Sequence, residues 1–283
     1  MSQPHGELPI LNQTSQQQKE EQELKERMAE IRHKLLVLSG KGGVGKSTVA
    51  ANLAMALSQM GKRVGLLDVD VHGPSIPGLM GLVGEQLSVV GEHILPVKVN
   101  DHLSVMSIGF LLPSNRDPVI WRGPRKFGVI RQFLKDVLWG PLDYLIVDAP
   151  PGTGDEPLSV AQLVGESAEA IIVTTPQQVA ISDVRRCVTF CHEVSLPVMG
   201  VLENMSGFVC PKCGERVDLF KSEGGKSLAE EMDIPFLGAI PIDPEIVTAG
   251  DSGKPSLQRD KETASAKAFH GMLDAMLQRH GEK

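Results

Sequence analysis

The segment Gly40-Lys41-Gly42-Gly43-Val44-Gly45-Lys46-Ser47, followed by Thr48, has the residues and spacing to hold phosphate. It satisfies G-x-x-x-x-G-K-[ST], with an apolar run before it and a helical pattern after it. Glycines let the backbone wrap closely, so that consecutive N–H groups face phosphate oxygens. The first turn of the following helix adds its positive dipole end. Lys46 then reaches the β- and γ-phosphates, and the Ser47 hydroxyl ligates Mg2+. The competing explanation, a Gly-rich turn that binds nothing, must produce the whole motif in its strand–helix context by chance. ATP with Mg2+ is the expected ligand.

Phosphoryl transfer also needs a group that positions water and an anchor for the metal. In parallel sheets, ligand-binding groups stand at the C-terminal ends of strands. Two apolar runs end in carboxylates. Val64–Leu67 leads into Asp68-Val69-Asp70, and Tyr144–Val147 leads into Asp148-Ala149-Pro150-Pro151-Gly152. Asp148 is expected to bind Mg2+ through water, with Asp68 on the metal side as support. The Gly152 amide is placed to contact the γ-phosphate and sense hydrolysis. For Asp68 or Asp70 taken alone, helix capping or turn formation competes with a role in chemistry.

The elements that must position these groups form an alternation. Short apolar runs at Leu35–Leu38, Val64–Leu67, Leu103–Ile108, Tyr144–Val147, Ala170–Thr174, Val198–Leu202 and Phe236–Ile240 lack polar alternation, as strands of a parallel sheet covered on both faces do. Helical patterns at Ser47–Met60, Arg125–Leu138, Pro157–Val164, Gln178–Glu193 and Gly224–Met232 separate several of them, and Thr263–Arg279 forms a last helix. The expected fold is α/β: a doubly wound, mainly parallel sheet with helices on both faces. One domain is expected over residues 34–283, with a small hairpin insertion at 81–102. Residues 1–33 are a polar, Gln/Glu-rich extension whose Leu24, Met28 and Ile31 make a thin helical stripe, expected to be a peripheral appendage.

The cysteines are Cys187, Cys191, Cys210 and Cys213, too few for a disulfide framework. Cys187 and Cys191, at i and i+4 on a predicted helix, read as small core residues. Cys210-Pro211-Lys212-Cys213-Gly214 can place two sulfurs on one metal centre. A C-P-x-C-G turn also occurs as half of a zinc ribbon, while inert thiols or a disulfide remain alternatives. Zinc and iron–sulfur centres usually take four ligands, so two copies related by a two-fold axis would complete the set. His72 reads as an exposed loop residue.

The octet K-G-G-V-G-K-S-T, with its second lysine Lys41, resembles the deviant Walker A motif of the MinD/ParA/nitrogenase-iron-protein class. In that class the lysine crosses a dimer interface to the partner's nucleotide, which independently implies a homodimer. Asp70 resembles the class's switch aspartate, which orients the attacking water. Further motifs are Gly73-Pro74-Ser75, Trp121-Arg122-Gly123-Pro124, Asp148-Ala149-Pro150-Pro151-Gly152-Thr153-Gly154-Asp155 and Glu203-Asn204-Met205-Ser206 ahead of the cysteine pair. Together they resemble the Mrp/ApbC (Nbp-type) family over roughly residues 33 to 280. The resemblance implies an ATP-binding, weakly hydrolysing homodimer that carries a labile [4Fe–4S] cluster on Cys210 and Cys213 to apo iron–sulfur client proteins. It implies that Asn204 binds the base, with Pro241 and Asp243 as further candidates for the adenine pocket. Residues 1–33 hold no cysteine, so the N-terminal cluster of some relatives is not expected.

The rival reading is a MinD- or ParA-like regulatory ATPase with structural zinc at the cysteine pair. A net charge of −7 opposes nucleic-acid binding. The last helix carries only Lys267 and Arg279 as cations, so membrane binding is not expected. With no signal-peptide pattern, the expected compartment is the cytoplasm.

Overall fold

The structure, a computed structural model, describes residues 9–71, 73–111, 123–165, 167–210, 212–255 and 263–282. The chain begins with α1 (Pro9–Ala29), β1 (Ile31–Leu38), α2 (Lys46–Gln59), β2 (Val64–Asp68) and the single turn α3 (Ile76–Leu79). The short strands β3 (Ser88–Val90), β4 (His93–Leu95), β5 (Val97–Asn100) and β6 (Leu103–Ser107) come next, and then α4 (Gly123–Asp136) and β7 (Leu142–Asp148). The second half is α5 (Asp155–Val164), β8 (Ala168–Thr174), α6 (Gln178–Glu193), β9 (Val198–Val209), β10 (Arg216–Val217), α7 (Gly224–Glu231), β11 (Phe236–Ile242), α8 (Pro244–Asp251) and α9 (Ala264–Arg279).

Among the described residues nine strands share one sheet, in the order β10-β9-β8-β1-β7-β2-β6-β5, with β11 also paired to β9. All pairings are parallel except β5 on β6 and β10 on β9. The apolar runs are continuous because both faces of the sheet are covered. On β1, Leu36 and Leu38 enter one core with residues of α1, α4, α5 and α6, whereas Leu35 and Val37 enter the other with α2 and α9. The expected fold class therefore holds. Helix α6 spans the expected residues, and Thr263 caps α9 by accepting the Ala266 amide at 3.2 Å.

Two regions differ from expectation. The stripe of α1 is no appendage: Leu24 and Met28 are buried with Ile31 in the core that contains Phe133 and Leu134 of α4. Glu20 and Glu23 pair with Arg131 and Lys135 of α4, and Lys34 donates to the Met28 carbonyl at 3.1 Å near the helix end. Met28 is 4% exposed in this core, and truncating it would cost on the order of 2 kcal/mol. Within 81–102, β3 and β4 form the expected hairpin, but β5 joins the main sheet as its antiparallel edge.

Register brings the strand ends together. Asp68 of β2 lies opposite Asp148 of β7, and Asp148 lies opposite Val37 of β1. The Gly40–Ser47 loop leaves β1 at this level and enters α2.

Candidate functional site

The loop wraps because its glycines permit it. Gly45 has φ 82°, and a Cβ there would strike the Asn204 amide. A Cβ on Gly40 would run into the Asp183 backbone at 2.5 Å. No side chain caps α2, so its first amides stay available to an anion. Lys41, Gly42, Gly43, Gly45, Lys46, Ser47 and Thr48 line a cavity of about 310 Å3 that Asp70 and Pro151 face from the other side. The half-buried Lys41 is held through its carbonyl, which accepts from Ser39 Oγ at 3.0 Å.

Asp148 is fully buried, with Lys46 Nζ 2.5 Å from its Oδ1 and no hydrogen-bond partner on its Oδ2. Burial pushes its carboxyl upward, and Lys46, with Ser47 beside it, acts in the opposite direction. A buried carboxylate oxygen without a donor suits a metal-bound water. Asp68 has a different arrangement. It accepts from Ser107 Oγ at 2.9 Å, the Ile76 amide at 3.3 Å and the Asp70 amide at 3.1 Å. Burial and the neighbouring Asp148 push it up to about 8. Its oxygens thus hold the Asp70 and Ile76 amides, and the buried oxygen without a donor belongs to Asp148. Ser107 has no sequence signal beyond its place at a strand end beside β2.

Gly152, expected at the γ-phosphate, has a partner in the phosphate loop's own strand end. With φ 96°, its amide turns toward β1 and donates to the Ser39 carbonyl at 2.8 Å, tying the segment after β7 to the phosphate loop.

A second cleft of about 390 Å3 adjoins the phosphate cavity, sharing Gly45, Thr48 and Leu79 with it. Asn204, Met205, Pro241, Asp243 and Phe220 line it. Asn204 Nδ2 donates to the Val44 carbonyl at 2.9 Å, joining β9 to the loop. Asp243 is occupied as the N-cap of α8, accepting the Glu245 amide at 2.9 Å, and by a short bond from Ser265 Oγ. Glu203, noted in the sequence only as part of a motif, is a buried clamp: it accepts from Ser206 Oγ at 2.6 Å and from the amides of Glu223 and Gly225 at 3.1 and 2.5 Å.

The cysteine pair sits at the tip of the β9–β10 hairpin. The Cys210 amide donates to Glu215 O at 2.9 Å and the Gly214 amide to Cys210 O at 2.8 Å, closing a tight turn. Cys210 is half-buried and Cys213 exposed, and both are free thiols. The Cys213 and Lys212 amides, and then the Cys213 thiol, hold the Cys210 thiol below its ordinary value, which favours the thiolate that binds metal. Among the described residues, no three His, Cys, Asp or Glu side chains converge as a metal site. Cys187 and Cys191 are fully buried in the core, as expected. Trp121, Arg122, His72 and Pro211 lie outside the described residues, and no described helix is long and apolar enough to cross a membrane.

Comparison with known proteins agrees with this arrangement. The family profile described as ParA, NUBPL iron-transfer P-loop NTPase matches residues 30–277. An iron-sulfur cluster carrier protein of Methanocaldococcus jannaschii is 50% identical over 237 residues, which is 84% of this chain and 82% of that one. The nucleotide-binding protein of Archaeoglobus fulgidus, solved with ADP, superposes with a TM-score of 0.75 at 41% identity, over 85% of this chain and 94% of the other. The septum site-determining protein MinD of Pyrococcus horikoshii shares the fold, with a TM-score of 0.64 at 23% identity over 89% and 98% of the two chains. By sequence, phosphate loop and sheet topology alike, the chain belongs to the NUBPL-type iron-transfer P-loop NTPases of the ParA group.

Proposed function

We propose that this protein is an ATP-dependent iron–sulfur cluster carrier. It acts as a homodimer in which Cys210 and Cys213 of two copies hold one [4Fe–4S] cluster as cargo for apoproteins. The observation that carries the reading is on β9: one strand holds Asn204 against the phosphate loop and, at its end, presents two free thiols in a tight turn, with that of Cys210 held below its ordinary value. One chain supplies two thiols, and a four-iron cluster takes four. The carrier role named for the Methanocaldococcus jannaschii relative supports the assignment.

In this reading the phosphates lie along the amides of Gly42 to Thr48, and Lys46 leaves Asp148 to reach them. Asp148 is then free to face a magnesium-bound water, and Ser47 faces the metal directly. Magnesium supplies charge neutralisation on the phosphates. Asp70 orients the attacking water, and Lys41 reaches the nucleotide of the second copy. Asn204, with one N–H given to Val44, keeps an N–H and its carbonyl for the adenine edge. Hydrolysis is weak and serves as a switch. Transfer takes place when acceptor thiolates replace those of Cys210 and Cys213, and the cytoplasm is the expected compartment.

The test is anaerobic reconstitution followed by transfer to an apo-acceptor that needs a four-iron cluster. The full chain should activate the acceptor, and Cys210→Ala or Cys213→Ala should abolish both cluster absorption and transfer while keeping ATP binding. Tightly held, colourless zinc with no transfer would overturn the reading in favour of a regulatory ATPase.

A further inference from the structure

Between residues of the phosphate loop, β9 and helices α3 and α8, the base cleft has one wall from the segment that follows β10. Phe220, 40% exposed, projects into it from the return segment that follows β10. An aromatic side chain left this open, facing Asn204 across a cleft next to the phosphate cavity, has the shape and chemistry to cover a base.

The same segment is a short, stiff arm attached to the cysteine turn. Arg216 and Val217 pair with Val209 and Phe208, and the Glu215 carbonyl holds the Cys210 amide. Asp218 receives Arg216 Nε at 3.2 Å on one oxygen and Ser222 Oγ at 3.0 Å on the other. The Lys221 amide returns to the Asp218 carbonyl at 3.3 Å, and Lys221 and Glu223 take left-handed φ of 71° and 63°. Beyond Phe220, the buried Glu203 clamps the Glu223 and Gly225 amides. Opposite the arm, β9 turns through Met205 (φ 57°) and Gly207 (φ 73°), and Met205 lines the cleft as well. Phe220 and the Cys210–Cys213 turn thus lie on one hydrogen-bonded segment.

We infer that Phe220 is a positioning residue that reports base occupancy to the cysteine pair: a base seated between Asn204 and Phe220 immobilises the 216–223 arm and restrains the Cys210–Cys213 turn. The inference rests on the reading of that pair as the cargo site. The phosphate loop alone does not send this signal; the base must be present.

The experiment uses the full chain, free of metal, and follows alkylation of Cys210 and Cys213 by iodoacetamide; Cys187 and Cys191 are fully buried and do not contribute. ADP with Mg2+, at concentrations that saturate each variant, should slow alkylation of the wild-type protein by about fivefold, the low end of couplings between linked sites. Inorganic pyrophosphate, which fills the phosphate loop without a base, should leave the rate unchanged. In Phe220→Ala the ADP effect should vanish, and in Phe220→Leu it should be partly kept. Protection of Phe220→Ala equal to wild type, equal protection by pyrophosphate, or no ADP effect in the wild type would each overturn the inference. Because the thiols are assayed without iron, such a result leaves the carrier reading standing, which falls only if the cluster itself is not held or transferred.

Discussion

Lys46 Nζ lies 2.5 Å from Asp148 Oδ1, a buried ion pair between residues 102 apart in the chain. The pair holds the lysine of the Gly40–Ser47 loop on the carboxylate at the end of β7, so that both are positioned by one contact. Removing the cation leaves Asp148 buried among apolar strands. Lys46→Ala should therefore cost about 3 kcal/mol in urea unfolding at neutral pH, and it should abolish nucleotide binding by calorimetry. An equally stable variant would show that Asp148 does not depend on the pair.

Asp70 lines the phosphate cavity, and its amide is fixed by Asp68. If it orients water, Asp70→Ala should slow ATP hydrolysis by about 100-fold while nucleotide affinity stays near wild type. Hydrolysis at the wild-type rate would remove Asp70 from the chemistry.

Lys41 belongs to the same cavity but is only half-buried. Lys41→Ala should keep the nucleotide affinity of a single copy and lose the tightening of the dimer by a non-hydrolysable ATP analogue, read by light scattering. An unchanged response would place Lys41 outside the interface.

A pH prediction concerns the opposite end of β1. His33 stacks on His280 with ring centroids 3.9 Å apart and on Tyr144 at 4.9 Å. Glu169 meets His280 at 2.8 Å, and Glu282 meets Lys62 at 2.6 Å, Arg32 at 2.9 Å and His33 at 3.5 Å. Burial, then the charges of His280 and Arg32, hold His33 below its ordinary 6.5 against the pull of Glu282 and Glu169. The unfolded chain thus takes up this proton before the folded one does. Its contribution to stability is present above 6.5 and is lost as pH falls through and below that value. The Glu169 carboxyl, lowered by its bond to His280, adds a loss in the same direction at more acid pH. The melting temperature should fall from about pH 7 to about pH 5, and less steeply in His33→Phe, which keeps the stack. Parallel curves would contradict the assignment.

The phosphate loop, the carboxylates at strand ends and the sheet were legible because each rests on local chemistry: a spacing motif, or an apolar run buried on two faces. Helix α3, a single turn of four residues and too short to show a period, was not read, and neither was α8. The packing of α1 was hidden because three apolar residues among glutamines read as surface until α4 lies beneath them. The role of Glu203 depends on amides 20 and 22 residues away, and that of Phe220 on a cleft assembled from distant segments. The bond of the Gly152 amide to the Ser39 carbonyl was not read because it joins segments more than 100 residues apart.

The most direct measurement is the iron, sulfide and zinc content of the anaerobically reconstituted protein, taken with its molecular mass in solution. Cys210 and Cys213 are free and close a turn at the hairpin tip, and in the proposed reading each copy supplies one half of a four-thiolate set. The account predicts a dimer with about two irons and two sulfides per protomer, one four-iron cluster for the pair, and none in Cys210→Ala/Cys213→Ala. A full cluster that persists in the double variant, or stoichiometric zinc in place of iron, would contradict it.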